Sequence, residues 1–363
     1  MPRVARAGVV AALLIPWTGP ALAQGSKGEA PFRLGTFGRQ DRSFVGLVKA
    51  DGNVVDVALA NVAWEAANPA GAKVKPPADM KDLITRYHSG GLKERLHVLG
   101  ADAARGPHVY PQAQLKVQAP LQYPATMLNA AVNYSEHDLE MQRRAPAPPA
   151  APGTPPRSAP GIWERRPDDV RQNPYLFLKA PTAVIADGEA IRIPPGRDQV
   201  DWECEMGVVI GKGGSHIPLA NAAEHIFGYT LEHDVSDRGG RGDARHGSDW
   251  LIGKSHDSFA PLGPFIVPRE FLPDPQNLPI KFSLSGTLMQ DSTTARMIHT
   301  VYELVHYASN ILSLRPGDVI ATGSPAGVGS ARNPPIFMKP GDVATCTIEG
   351  IGTLTNPVAA SAR

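Results

Sequence analysis

From Val200 to Gly211 apolar and acidic residues alternate with a period of two. On an extended strand, Trp202, Cys204, Met206, Val208 and Ile210 fall on one face and Asp201, Glu203 and Glu205 on the other. Shorter alternating runs occur at Phe44 to Val48 and Val54 to Val57, followed by a helical stretch around Met80 to Leu99. Strand-like runs punctuated by glycine and proline then continue to Pro357, with one clear helix between Thr293 and Leu312, where Met297, Val301, Leu304, Val305 and Ala308 recur at helical spacing. The pattern predicts an α+β, β-rich chain: a small N-terminal α+β module over residues 24–122 and a larger body over 123–363. Ala145 to Pro160 is dense in proline and alanine and cannot form a regular helix or central strand, so a lid or insert is expected over about residues 135–170.

With 363 residues, 42% of them hydrophobic and 20% charged, the chain buries a large core. Its formal charge of +1 implies no polyanionic partner, so nucleic acid is not expected. Arg3 and Arg6 precede an apolar run from Val9 to Trp17 and a small-x-small end at Ala21-Leu22-Ala23. Residues 1–23 therefore read as a cleaved secretory signal and the protein as exported, in the periplasm, with no membrane attachment after cleavage. The apolar run is shorter than the ~20 residues needed to span a bilayer. The two cysteines, Cys204 and Cys346, sit in alternating strand patterns and read as buried free thiols rather than a disulfide.

Two glutamates side by side on one strand face repel each other unless a cation lies between them. Asp234, at the end of the strand-like run from Phe227, supplies a third carboxylate. Glu203, Glu205 and Asp234 together make an all-oxygen site suited to Mg²⁺, alternatively Mn²⁺ or Ca²⁺. An acid-x-acid strand alone is more often a solvated face. In Asn133 to Glu140 a capping pattern at Ser135 and Asp138 starts a short helix and puts His137 and Glu140 on one face at i and i+3, the pairing a general base needs; a surface ion pair is the plainer reading. Lys254 interrupts an apolar, strand-like run from Trp250, placed either to offset the acidic site or to snorkel at the surface. The glycine-rich turn Thr322 to Gly329 lacks the endings of a phosphate loop and of a nucleophile elbow; its amides and the Thr322 hydroxyl suit a substrate carboxylate.

In this order the segments resemble the fumarylacetoacetate hydrolase family over roughly residues 125–357. The resemblance is carried by Asn133-Tyr134-x-x-His137-x-x-Glu140, Lys179-Ala-Pro-Thr182, Glu203-x-Glu205 running into Val208-Val209-Ile210-Gly211, Gly228-Tyr229-Thr230 leading to Asp234-Val235-Ser236, Lys254, the Gln290 region and Thr322-Gly323 through Gly329. It implies a mixed β-roll or β-sandwich, a homodimer, and a divalent metal on Glu203, Glu205 and Asp234. It also implies catalytic roles for His137, Glu140 and Lys254, and places Tyr134, Lys179, Gln290, Thr322 and Gly323 around a small 2-oxo or diketo acid. The expected reaction is hydrolysis of a carbon–carbon bond in a diketo acid such as an acylpyruvate, through water activated by His137 and Glu140. An isomerase, decarboxylase or lyase using the same metal is the second reading, and a periplasmic binder without turnover the third. Ala131 and His233 replace a usual glycine and asparagine, the stretches after Glu140 and from Asp237 to Ser248 depart further, and export is atypical of the family.

Overall fold

The computed structural model describes residues 30–101, 106–144, 158–164, 166, 168–239 and 247–361. The leader expected over 1–23, and the proline- and alanine-rich stretch from Ala145 to Gly153 and on to residue 157, lie outside the described residues. Three consecutive long strands, Cys204–Ile210, Ile226–His233 and Ala260–Pro268, are buried at every position. Their acids at Glu205 and Glu232 are therefore interior carboxyl groups rather than a solvated face.

The Cys204–Ile210 strand lies near the middle of a twelve-stranded sheet. It pairs antiparallel with Ile226–His233 on one side, placing Glu205 opposite Glu232, and with Val319–Ala321 on the other. Val319–Ala321 pairs in parallel with Met127–Ala130, and Leu176–Leu178 closes that edge. In the other direction the sheet runs through Ala260–Pro268 to the N-terminal strands Arg33–Arg39, Arg42–Val48 and Asn53–Asp56. Leu34 lies opposite Ile266, so the sheet crosses the boundary expected at residue 122. A second sheet of five strands contains Pro279–Leu284, Thr287–Thr293 and Val343–Ile348. The fold is α+β and strand-rich, as the periodicity predicts.

Six helices occur among the described residues: α1 (Val57–Ala67), α2 (Met80–Arg86), α3 (Leu92–Ala101), α4 (Ser135–Arg144), α5 (Trp250–Lys254) and α6 (Val301–Ser309). The stretch expected as one helix around Met80 to Leu99 divides into α2 and α3 because Gly90 and Gly91 both take positive φ, 63° and 71°, which a helix cannot contain. α6 starts at a capping box formed by Thr300 and Glu303. The run from Trp250 is a short helix, not a strand: the Asp249 side chain accepts from the Ile252 amide and nucleates the turn despite the β-prone sequence.

The expectation of free thiols is overturned. Cys204 and Cys346 form a disulfide with Cα atoms 5.4 Å apart, inside the usual span. They are 142 residues apart in sequence and meet because the two sheets face each other there. Cys346 is registered with Phe282, whose ring stacks on Trp202 at 5.5 Å. Strand alternation shows which way a cysteine points but not which strand it meets.

The N-terminal helices dock on the body through Glu270. Its carboxylate accepts from the Tyr87 hydroxyl at 2.6 Å, meets His97 at 2.8 Å and pairs with Lys93. Phe32 packs edge-on against Phe271, centroids 4.9 Å apart. Burial pushes the Glu270 pKa up, but the hydrogen bonds from Lys93 and Tyr87 outweigh it and leave the carboxyl below its ordinary value. Its ionised form therefore stabilises the fold above the unfolded-state pKa of ~4.3, and that contribution disappears as pH falls through the depressed folded value. Glu270→Gln should lower unfolding free energy by about 1–2 kcal/mol at pH 7 and by less at pH 3, read by urea denaturation at both pH values.

Candidate metal centre and active site

Glu203 lies in the break between the two-residue strand Val200–Asp201 and Cys204–Ile210, where the Asp234 amide donates to its carbonyl at 2.9 Å. Glu205 is the second residue of the Cys204–Ile210 strand, and Asp234 follows directly on the neighbouring strand. One carboxylate oxygen from each comes within 4.8 Å of the others, and all three residues are buried.

Such a concentration of buried negative charge needs compensation. Lys254, carried inward by α5, is 2.6 Å from Glu203 and also pairs with Asp234. Lys179 pairs with Asp234 and donates to the Val235 carbonyl at 3.1 Å. Arg238 pairs with Glu203 and reaches Asp201 at 3.0 Å. Burial works against ionisation of Glu203, yet Arg238 and Lys254 hold its carboxyl well below the usual range. Glu205 is treated differently: among the described residues it has no ion pair, and its hydrogen bond comes from the Gly323 amide at 2.7 Å. Burial, then Asp234, Glu232 and Glu203, push its pKa well above the usual value.

That imbalance is the test of fit for a cation. Three carboxylates at coordination spacing, one of them without an ion pair among the described residues, suit a hard divalent ion with oxygen ligands. His233, the departure before Asp234, is pushed down to about 3 by burial and by Lys179, so it stays neutral and adds no charge. Glu232 is a fourth buried carboxyl, 3.2 Å from the Asn129 amide and likewise raised by burial and by Asp234. Sequence reasoning missed the roles of Arg238, Asp201 and Glu232. Asp201 stood in the alternation, but the signal for its partner, an arginine four residues after Asp234, carried no spacing rule.

α4 begins at Ser135 itself, and the i, i+3 spacing brings His137 Nδ1 to 2.8 Å from Glu140. Glu140 also accepts from the Gly327 amide at 3.0 Å, and Glu136 pairs with Arg296 at 3.2 Å and hydrogen-bonds Ser292. The turn before the helix is held by Asn133, whose side chain donates to the Thr322 carbonyl at 2.8 Å and the His299 carbonyl at 2.9 Å. Gly323, at φ 88°, sits against this turn: a Cβ there would come within 2.8 Å of Asn133 Cβ. His137 is buried and acts electrostatically on Glu203. The opposite face of α4, with Ser135, Asp138, Leu139 and Gln142, lines a separate cleft of about 1150 Å³.

The five residues expected around the substrate divide into two groups. Tyr134 Oη and Thr322 Oγ1 are buried without a hydrogen-bond partner among the described residues, which is unused capacity beside the triad. Lys179, Gly323 and Gln290 are already engaged. The Gln290 amide accepts from the Cys204 amide at 3.2 Å and donates to Ser324 Oγ at 2.8 Å and the Pro325 carbonyl at 2.7 Å.

Residues 126–359 match the family model of the fumarylacetoacetate hydrolase C-terminal domain. The chain belongs to the fumarylacetoacetate hydrolase family. The mitochondrial oxaloacetate tautomerase of Xenopus laevis is 36% identical over 251 residues, 69% of this chain and 70% of that one. A 5-carboxymethyl-2-hydroxymuconate delta-isomerase from Mycobacterium smegmatis superposes with a TM-score of 0.62 at 28% identity, over 91% of this chain and 100% of that one. The fumarylacetoacetate hydrolase of Exiguobacterium antarcticum gives 0.66 at 28% identity with the same coverage.

Membership of this family supports enzymatic activity and a divalent cation at the triad. It also corrects one expectation. The related tautomerases of Xenopus laevis, Rattus norvegicus and Bos taurus are mitochondrial, which overturns the reading of an exported, periplasmic protein. An acid-free stretch with arginines ahead of apolar residues is common to secretory signals and organelle-targeting leaders, so composition alone did not separate them.

Cation binding should displace a proton from the site. Burial and the neighbouring carboxylates raise the Glu205 pKa and oppose its ionisation, whereas a coordinating carboxylate must be ionised. Mn²⁺ affinity should therefore rise with pH, and calorimetry in buffers of different ionisation heat should record net proton release. Zero release and a flat pH profile would contradict this charge assignment.

Proposed function

We propose that this chain is a divalent-metal-dependent enzyme that interconverts the keto and enol forms of a 2-oxo dicarboxylic acid of the oxaloacetate class. The observation that carries this reading is the His137–Glu140 pair, 2.8 Å apart, with His137 buried and within electrostatic range of Glu203 in the cluster with Glu205 and Asp234. Tautomerisation needs one base to carry a proton between the carbon beside the carbonyl and the carbonyl oxygen, and it consumes no water. The kinship with an oxaloacetate tautomerase, at 36% identity, supports this choice.

A cation held by Glu203, Glu205 and Asp234 would polarise the 2-oxo group and lower the cost of enolate charge; Mg²⁺ and Mn²⁺ both suit the ligands. The remaining steps belong to the protein. His137 takes the proton from the substrate carbon, and Glu140 holds the ring in one tautomer and stabilises the imidazolium. The Glu140 bond to the Gly327 amide fixes the second carboxylate oxygen, so the pair cannot rotate away from the triad. The Lys254 ammonium supplies positive charge where the enolate develops. Tyr134 and Thr322 use their unpartnered hydroxyls to hold a substrate carboxylate.

Carbon–carbon hydrolysis of an acylpyruvate is the second reading, favoured by the same pair, which is equally suited to activating water, and by likeness to a fumarylacetoacetate hydrolase. The test follows oxaloacetate and a set of acylpyruvates with Mg²⁺, with Mn²⁺ and with chelator. Tautomerisation gives a metal-dependent change in enol absorbance at constant mass. Release of pyruvate and a second acid would replace that reading with the hydrolase, and silence throughout would leave a cation-binding protein without turnover on these acids. His137→Asn should lower kcat by roughly 10²–10⁴-fold while leaving Mn²⁺ affinity within about twofold, measured on the same preparations.

A further inference from the structure

Cys204 stands between two of the three triad carboxylates and is covalently joined to Cys346 of the second sheet. Both cysteines are buried, and Cys346 is an inner residue of its sheet, registered with Phe282 on one side and Leu354 on the other. The anchor is therefore rigid. By strand alternation the Cys204 side chain points away from Glu203 and Glu205, so the disulfide holds the ligand-bearing segment from behind. Its amide is also tied, to Gln290 at 3.2 Å. This matters most for Glu203, which lies outside the regular ladder, in the break before Cys204.

We propose that the Cys204–Cys346 disulfide is a redox-controlled positioning element for the metal centre. The proposal rests on the reading of the triad as a metal site, not on the reaction. Oxidised, the bond presses Cys204 against the second sheet and keeps Glu203 and Glu205 facing Asp234 against their mutual repulsion. Reduction transfers two electrons to the S–S bond and, with two protons, yields two thiols: a dithiol supplies both hydrogens and leaves as its cyclic disulfide, whereas a phosphine takes oxygen from one water, which also supplies the two protons, and leaves as the phosphine oxide. The sulfurs must then part from ~2 Å to a non-bonded contact of roughly 3.5–4 Å. Both residues are at most 1% exposed, and protein interiors are close-packed, so the parting sulfurs press on the strand carrying Glu205 and the segment carrying Glu203. Metal ligands tolerate only about 0.2 Å of misplacement. Gln290 is the second brace of the same point, and its Ser324 and Pro325 bonds link that brace to the Thr322–Gly329 turn.

The experiment uses the full chain and Mn²⁺ alone, with affinity read by electron paramagnetic resonance and fold by circular dichroism. Thiol titration of the denatured protein should find no free thiol before treatment and both cysteines after phosphine. The reduced, folded protein should bind Mn²⁺ roughly tenfold more weakly, and reoxidation should restore the affinity. A Cys204→Ala, Cys346→Ala pair should bind equally with and without phosphine. Unchanged affinity in the reduced, folded protein would overturn the proposal even if its melting temperature fell, because loss of stability alone marks a merely structural bond. Free thiols before treatment, or a phosphine effect on the alanine pair, would overturn it too. Should reduction unfold the chain, Cys346→Ala takes its place: affinity below that of the oxidised protein supports the proposal, and equal affinity overturns it. Absence of Mn²⁺ binding by the oxidised protein would instead remove the metal centre itself.

Discussion

Three carboxylates confined within 4.8 Å inside a sheet set the terms for the rest of this molecule. Isolated buried charges of that kind would take up protons or push the strands apart. Lys179, Lys254 and Arg238 answer two of the three, and all three cations come from segments distant from the Glu203–Glu205 pair. α5 exists in effect to carry one of them: five residues long, capped by Asp249, it turns an otherwise strand-like run inward and buries Lys254. Glu205, hydrogen-bonded by a backbone amide and without an ion pair among the described residues, is where a divalent ion at the triad would complete the balance.

The loops around the triad are held by the same currency of buried hydrogen bonds. Asp201 accepts from the amides of Gly329 at 2.6 Å and Ser330 at 3.0 Å as well as from Arg238, fastening the end of the glycine-rich turn to the strand break. Gly323 and Gly327, from the same turn, donate to Glu205 and Glu140. One turn therefore touches both a carboxylate of the triad and the partner of His137. Residues that suggested a substrate pocket in the linear sequence thus also support the proposed metal ligand and base pair, as outer partners do in metal sites generally. Mobility in this turn would disturb both halves of the site at once.

Carbon–carbon hydrolysis and tautomerisation draw on nearly the same parts, a polarised carbonyl and one positioned base, which is why a single family contains both. The choice between them lies in whether a water reaches the distal carbonyl, and that depends on side chains bordering the substrate rather than on the triad or His137. Kinship with an oxaloacetate tautomerase at 36% identity is therefore the stronger guide to the reaction.

Local chemistry made much of this protein readable in advance. Period-two alternation revealed Glu203 and Glu205, helical spacing put His137 beside Glu140, and the order of the motifs pointed to the family, because these depend on residues close together along the chain. Contacts between distant segments were not readable. The Cys204–Cys346 bond, Arg238 on Glu203, Gln290 on the Cys204 amide and the continuity of the N-terminal strands with the main sheet all join residues whose separation carries no periodic signal. Lys254 was legible as an anomaly but not as a helix, since the cap at Asp249 outweighs the β-prone residues after it. The residue types that can bind a cation and move a proton are written in the chain; their mutual distances, counter-charges and covalent brace exist only once two sheets pack face to face, because burial gives charge its cost and packing determines which cation answers it.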